Sequence, residues 1–396
     1  MKKLLVLAAG LLQIPVIKRA REMGYYVIAA DGNPTAPGLK LSDQPIVTDI
    51  TSEERMLDIA RKLQINGVIH PCSEVSMTVM GRINDELHLH GISRETALRA
   101  TNKHLMRVAF ATYGAPSPKS HCANQSEEGW RLFKAIGGKC ILKPSRNSGS
   151  RGVSEIEPDI DINEFSSLFA RSKSESRDAS VMIEEYVEGP EFSVEIIVWN
   201  SIVNVLQVTD KKTTGAPYFV ELGHSQPSLF PPEIVELVKD AAIKGVRSLG
   251  LEDCAAHAEV KVKNGKAYLM EIGARLGGDF ISTELTYLST GIDMVAAAIS
   301  VAMGIKPDLK PKHTPQGSAI RYFTPRPGKV VSINNTELLN SPVVYEAELY
   351  IKEGDDVHEV RSSLDRSGHV IVSASSASEA VLHAESIIHQ VEIVTK

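Results

Sequence analysis

Residues 256–278 read AHAEVKVKNGKAYLMEIGARLGG, and this stretch decides the architecture. At its centre, Asn264-Gly265 is the best hairpin signal in the chain. A two-residue turn that matches strand twist needs positive φ at both positions, which Asn and Gly accept. The arms, 256–262 and 266–272, read as apolar strands that each carry one acid, Glu259 and Glu271. The strand patterns allow both carboxylates to face one side. Two close carboxylates repel unless a cation lies between them, and Mg²⁺ favours carboxylate and phosphate oxygens. A pair of solvated strand faces would have the same spacing. A Gly-rich loop, 273–278, follows at once and carries Arg275. Its guanidinium suits a substrate carboxylate or a transferring phosphoryl group, although a lone arginine is more often a surface residue.

Working back to the N-terminus, strands at 4–9, 26–30 and 67–70 alternate with helices at 15–23 and 52–63. Val16, Ile17, Ala20 and Met23 have helical spacing, and Gly10, Gly24 and Asp31-Gly32-Asn33-Pro34 punctuate the run. This βαβαβ order predicts a parallel sheet with helical crossovers. The short apolar run at 4–9 reads as a first strand rather than a signal peptide.

Between these regions lie a helix at 102–113, a short strand at 140–143 and the polar loop Pro144-Ser145-Arg146-Asn147-Ser148-Gly149-Ser150-Arg151-Gly152. Glycines and small hydroxyls let backbone N–H groups approach phosphate oxygens, and Lys143, Arg146 and Arg151 add positive charge. The loop lacks the GxxxxGK[ST] pattern, and by itself it equally describes an ordinary surface loop. Glu184-Glu185-Tyr186-Val187-Glu188-Gly189-Pro190-Glu191 ends a strand at 181–184. It reads either as an acidic turn or as an edge that meets adenine, with Glu191 accepting from ribose. Paired strands at 192–198 and 203–209, a helix at 233–249 and a helix at 291–303 follow. Strands at 318–323, 343–351 and 369–374 and a helix at 376–388 predict a small C-terminal α+β domain. His224 and His257 are candidates for substrate binding or proton transfer, or are structural histidines.

The 396 residues carry 43 Lys+Arg against 49 Asp+Glu, a net charge of −6. That balance gives no general electrostatic reason to bind nucleic acid. No run of about 20 apolar residues exists to span a membrane. Cys72, Cys122, Cys140 and Cys254 form no CxxC pair, and read as reduced thiols of a cytoplasmic protein. There is no GxSxG elbow, and no GxGxxG follows the first strand.

The order of these pieces resembles the ATP-grasp superfamily over about residues 1–310, and more weakly beyond. Within it the chain is similar to the carboxylate–amine (L-amino acid) ligase branch, and less closely to biotin carboxylase and the purine-biosynthesis members. The resemblance implies α/β and α+β architecture: a pre-ATP-grasp domain (1–99) with the parallel sheet, an ATP-grasp domain (100–310) with a lid at about 115–187, and a C-terminal α+β domain (311–396). It implies ATP with Mg²⁺, or Mn²⁺ in its place. Lys103 matches the first nucleotide-binding lysine and Lys143 the second. Ser145, Ser148, Gly149, Ser150 and Gly152 match the mobile loop over the triphosphate. Glu184, Glu185 and Val187 match the adenine hinge, and Glu191 the ribose acid. Glu259 and Glu271 match the paired metal ligands, and Arg275 the arginine that steadies an acyl phosphate. Much of the superfamily has Asn where this chain has Gly273, but the amino acid ligase branch often resembles ExGxRxGG there. His257 before Glu259, and Glu221-Leu222-Gly223-His224, also look like that branch and put His224 near the substrates. The implied activity is amide or peptide bond formation through an acyl phosphate, releasing ADP and phosphate. The implied partners are a small-molecule carboxylate and an amine, with no nucleic acid or membrane, in a homodimer. A formate- or bicarbonate-using enzyme of purine-type metabolism and a non-catalytic nucleotide-binding protein are the alternatives.

Overall fold

A computed structural model describes all residues except 148–150. The N-terminal sheet is parallel, in the order Gln44–Val47, Tyr26–Asp31, Lys3–Leu7, Gly67–Ile69. Its two central strands are buried on both faces, so they read as apolar runs without alternation. Gln44–Val47 escapes a pattern reading because it is short and contains Pro45, which a sheet tolerates at its edge. Helices Ile14–Glu22 and Glu53–Leu63 make the crossovers.

A four-stranded antiparallel sheet follows, ordered Ser120–Ala123, Val181–Glu185, Cys140–Pro144, Ser154–Ile156. Helices Ser126–Ile136 and Ile162–Ser174 pack on it through Phe133, Phe165 and Phe169.

The largest sheet has eight antiparallel strands: Lys266–Gly273, Cys254–Lys263, Glu191–Trp199, Ile202–Thr213, Glu221–Gln226, Gly317–Tyr322, Gly368–Ala374 and Val344–Leu349. The 264–265 turn has φ of 49° and 70°, the geometry that Asn-Gly favours. The last three strands come from the C-terminal region. That region therefore does not build a wholly separate sheet: three of its strands complete the central one, because Gly317–Tyr322 pairs directly with Glu221–Gln226. Only the small sheet of Gly328–Asn334, Asp356–Val357 and Glu392–Thr395 lies apart. The helix expected at 291–303 starts later, at Met294, where the Asp293 side chain caps Ala296 N–H at 2.8 Å. Among the described residues, no single helix is long and apolar enough to cross a membrane.

One face of the eight-stranded sheet is polar. Residues paired across strands share a face. Glu191, Ser193 and Glu195 alternate along one strand, opposite Lys261, Glu259 and His257 on the next. On the other side, Thr209 pairs with Ser193, and Lys211 with His224. The opposite face is apolar, with Phe192, Val194, Ile196, Ala258 and Val260 packed against helix Pro232–Leu249. Strand alternation thus separates the core from a row of charged groups.

Candidate active site

A cavity of about 400 Å³ lies over this polar face, roofed by the four-stranded sheet and flanked by the N-terminal and C-terminal regions. Glu259 and Glu271 are direct register partners on the hairpin. Each is met by a buried lysine. Lys103 Nζ lies 3.0 Å from Glu271 and 2.9 Å from the Asn147 carbonyl. Lys211 Nζ lies 3.1 Å from Glu259 and 2.5 Å from Glu191. Burial opposes charge on these groups, but the opposite charges win. Lys103 and Lys211 are held above the ordinary lysine range, and Glu259 well below the ordinary carboxylate range.

Lys103 is placed by its helix. Asn102 caps the first turn through Leu105 N–H at 3.0 Å, and the Lys103 N–H donates to the Ser145 carbonyl. Lys143 projects from Cys140–Pro144 onto Glu184 at 2.6 Å. Burial dominates here, aided by Arg107 and Lys103, and lowers the Lys143 pKa despite Glu184. Glu184 is almost fully buried and also accepts from Arg107 at 3.0 Å. Its backbone sits inside the sheet between Ser120 and Ile141. Its side chain is the counter-ion of Lys143, and Glu184 also lines the cavity. Further along, Glu185 N–H donates to Lys119 O and Tyr186 N–H to Lys139 O, while Glu185 and Val187 line the cavity.

The polar loop divides. Ser145 is buried, and its hydroxyl donates to Asp178 at 2.6 Å, so it pins the base of the loop rather than facing the cavity. Gly152 adopts φ 73° and packs against Glu175 and Pro144, where a Cβ would come within 2.9 Å of Glu175. It too serves the stem of the loop. Asn147 and Arg151 line the cavity. Ser148, Gly149 and Ser150 lie outside the described residues.

The far end of the cavity holds Arg275, Glu74, His224, His257 and Asp279. Arg275 Nη2 lies 3.3 Å from Glu74. Glu74 belongs to the loop after Gly67–Ile69, which His70 holds in place. The His70 Nδ1–H donates to Leu7 O at 2.9 Å, and Nε2 accepts from Ser76 N–H at 3.2 Å. Burial pushes His70 down to about 4, so it stays neutral and can bridge a donor and an acceptor. His257 Nδ1 lies 2.6 Å from Glu195, which also accepts from Ser282 Oγ at 2.5 Å. Ser282 Oγ in turn accepts from Gly277 N–H. Burial works against a charged His257, but Glu195 outweighs it and raises the ring to about 9. A Cβ at Gly277 would approach the His257 Nδ1 to 2.6 Å, so glycine is required by close approach.

Sequence reasoning missed Lys211, Glu74, Glu195, Arg107, Ser282, Asp279 and Arg366. One signal was available: Glu191, Ser193 and Glu195 recur with period two inside an apolar strand. Nothing in the Asp210-Lys211-Lys212 run shows which lysine is buried.

Comparison with known proteins matches residues 136–284 to the ATP-grasp domain and residues 321–396 to the L-amino acid ligase C-terminal domain 2. Residues 136–284 therefore carry an ATP-grasp domain. Relatives of the chain include alanine–anticapsin ligase of Bacillus subtilis, 29% identical over 226 residues, which is 52% of this chain and 48% of that protein. Another is formate-dependent phosphoribosylglycinamide formyltransferase of Methanocella arvoryzae, 24% identical over 69% of this chain and 66% of that one. The chain thus spans about half to two thirds of the length of these curated relatives. The L-amino acid ligase of Bacillus licheniformis superposes with a TM-score of 0.83 at 20% identity, covering 100% of this chain and 99% of that one. At that identity it supports the ATP-grasp fold alone. The hairpin with Glu259 and Glu271 falls inside the matched ATP-grasp domain, and Arg366 inside the C-terminal one.

Proposed function

We propose that the chain is an ADP-forming carboxylate–amine ligase that makes an amide or peptide bond through an acyl phosphate, with an amino acid as one substrate. The observation that carries this reading is the pairing of Glu259 with Glu271 on one hairpin, beside Lys103, Lys211 and Arg275 in one cavity. The relative named alanine–anticapsin ligase and the match of residues 321–396 to an L-amino acid ligase C-terminal domain favour an amino acid.

In this reading, adenine enters beside Val187 and Glu185, and Glu191 meets the ribose. Lys143 and Lys103 meet the phosphates beside Asn147 and Arg151. The substrate carboxylate takes the Arg275 end and attacks the γ-phosphorus, forming the acyl phosphate and ADP. Fixed cations meet charge as it develops. The walls of the cavity keep water from the acyl phosphate until the amine arrives. Among the described residues, no group of three or more His, Cys, Asp or Glu makes a metal cage. Glu259 and Glu271 offer hard carboxylate oxygens, so they fit Mg²⁺ completed by phosphate and water oxygens. When bound, Mg²⁺ would neutralise charge on the transferring phosphoryl group.

The test is phosphate release from ATP and Mg²⁺ across single amino acids and amino acid pairs, with products weighed by mass spectrometry. Phosphate together with a dehydrated pair mass supports the reading. ADP formation only with formate or bicarbonate would replace it with the purine-type reading that the formyltransferase relative favours. Tight nucleotide binding with no turnover on any substrate would indicate a binding protein. Light scattering at twice the chain mass tests the homodimer that the resemblance implies.

A further inference from the structure

We propose that His224 is the base that takes a proton from the acceptor amine, and that Asp279 and Arg366 are positioning residues that set its tautomer. The inference deepens the ligase reading above and rests on it.

An amine reaches the site at neutral pH as an ammonium ion, which has no lone pair. Some group near the acyl carbon must accept a proton before attack. His224 lines the substrate end of the cavity, on the same face of the sheet as its cross-strand partner Lys211. Its Nε2 lies 3.3 Å from Asp279 Oδ2. Arg366, from the C-terminal region, donates to both Asp279 oxygens, at 2.7 and 2.9 Å. Its guanidinium stacks over the Tyr322 ring at 3.6 Å, so the fork is held on both sides. An ionised Asp279 can only accept, so the His224 proton belongs on Nε2 and the lone pair on Nδ1. That Nδ1 is buried and, among the described residues, has no hydrogen-bond partner.

A buried ring nitrogen without a protein partner is costly, and a ligand or a water completes such an atom. The other histidine of the site offers no such atom. His257 Nδ1 is taken by Glu195 at 2.6 Å, and its Nε2 lies 3.8 Å from Glu259. The geometry at His224 repeats the logic of a base oriented by a carboxylate.

The step balances as follows. An N–H bond of the ammonium breaks and its proton moves to Nδ1. The freed lone pair forms the C–N bond at the acyl carbon. The C–O bond to phosphate then breaks, and phosphate leaves with that electron pair. The second proton of the attacking nitrogen goes to the departing phosphate, and His224 returns its proton to water.

Hydroxylamine provides the test, because it is largely uncharged at neutral pH and needs no base to attack an acyl phosphate. The whole protein, as wild type and as His224→Asn and Asp279→Asn, is given ATP, Mg²⁺ and the proteinogenic amino acids. The acceptor is either hydroxylamine or a second amino acid. The expected result is an amide-to-hydroxamate ratio that falls about 10²-fold in His224→Asn, the usual scale of general base catalysis. The ratio falls in the same direction in Asp279→Asn. Thermal melting checks the fold of both, and if His224→Asn does not fold, Asp279→Asn decides. A wild-type ratio in the folded variants overturns the proposal while leaving the ligase reading intact. A wild type that forms neither hydroxamate nor ADP with any amino acid overturns both.

Discussion

Replacing Glu184 by Gln removes the only carboxylate that touches both Arg107 and Lys143 among the described residues. Both cations remain buried, at side-chain exposures of 3% and 13%, and lose their counter-ion. Removing one member of a buried pair costs roughly 3–5 kcal/mol, because the remaining charge is uncompensated. The shifted pKa of Glu184 gives a second route to the magnitude. Burial alone would raise the Glu184 pKa, yet Arg107 and Lys143 hold it at about 2, against an ordinary 4.5. At about 1.4 kcal/mol per unit, that is on the order of 3 kcal/mol, in agreement with the first figure. The sign follows from linkage. A depressed carboxylate contributes stability that is fully present above about pH 4.5 and is lost as pH falls from there through 2. Urea denaturation of both proteins at pH 7, and at steps between pH 6 and 3, measures both parts. The variant should lose roughly 3–5 kcal/mol at pH 7. It should also lose this share of the acid dependence that the wild type shows. A cost below about 1 kcal/mol, the scale of an exposed pair, or an unchanged acid slope, would refute the counter-ion role. Arg107 also donates to the Met270 carbonyl at 2.8 Å, so the same change should loosen the four-stranded sheet from the carboxylate hairpin. Faster amide exchange in 181–185 would report that.

Glu271→Gln should lower ATP-dependent turnover by about 10² or more, since it removes one of the two carboxylates that would hold Mg²⁺ against the phosphates. Near-normal Mg²⁺-dependent turnover in a folded variant would count against the metal role. Lys211→Met should bring Glu191, Glu259 and Glu221 into unscreened repulsion, because Lys211 lies within 3.9 Å of all three. A loss of about 3–5 kcal/mol, read by calorimetry without ligand, is expected. Gly277→Ala should displace the His257 ring, which a Cβ would approach to 2.6 Å, and reduce kcat more than it reduces the melting temperature. Unchanged kcat would show that the loop gives way freely.

Much of the fold was legible because its signals are local. Asn264-Gly265 named the hairpin, but its turn register pairs Val260 with Leu269, and a bulge between Glu259 and Val260 is what brings Glu259 opposite Glu271. The alternating elements of the first seventy residues named the parallel sheet, and Ser376 and Asn102 marked helix starts with their own side chains. The loop 144–152 was less legible. Its glycines and serines look alike in sequence, yet Ser145 and Gly152 serve its stem and Asn147 and Arg151 face the cavity.

The sequence by itself determined the hairpin at Asn264-Gly265 and the alternating elements of the first seventy residues, since periodicity and turn chemistry act over a few residues. Tertiary structure alone decided which charges meet. Lys211 finds Glu191 and Glu259 across neighbouring strands, Glu74 reaches Arg275 from 201 residues away, and Arg366 grips Asp279 across 87. Those pairings depend on sheet order and on the register of strands distant in the chain. No local propensity encodes them, and burial is what turns ordinary lysines and acids into a site.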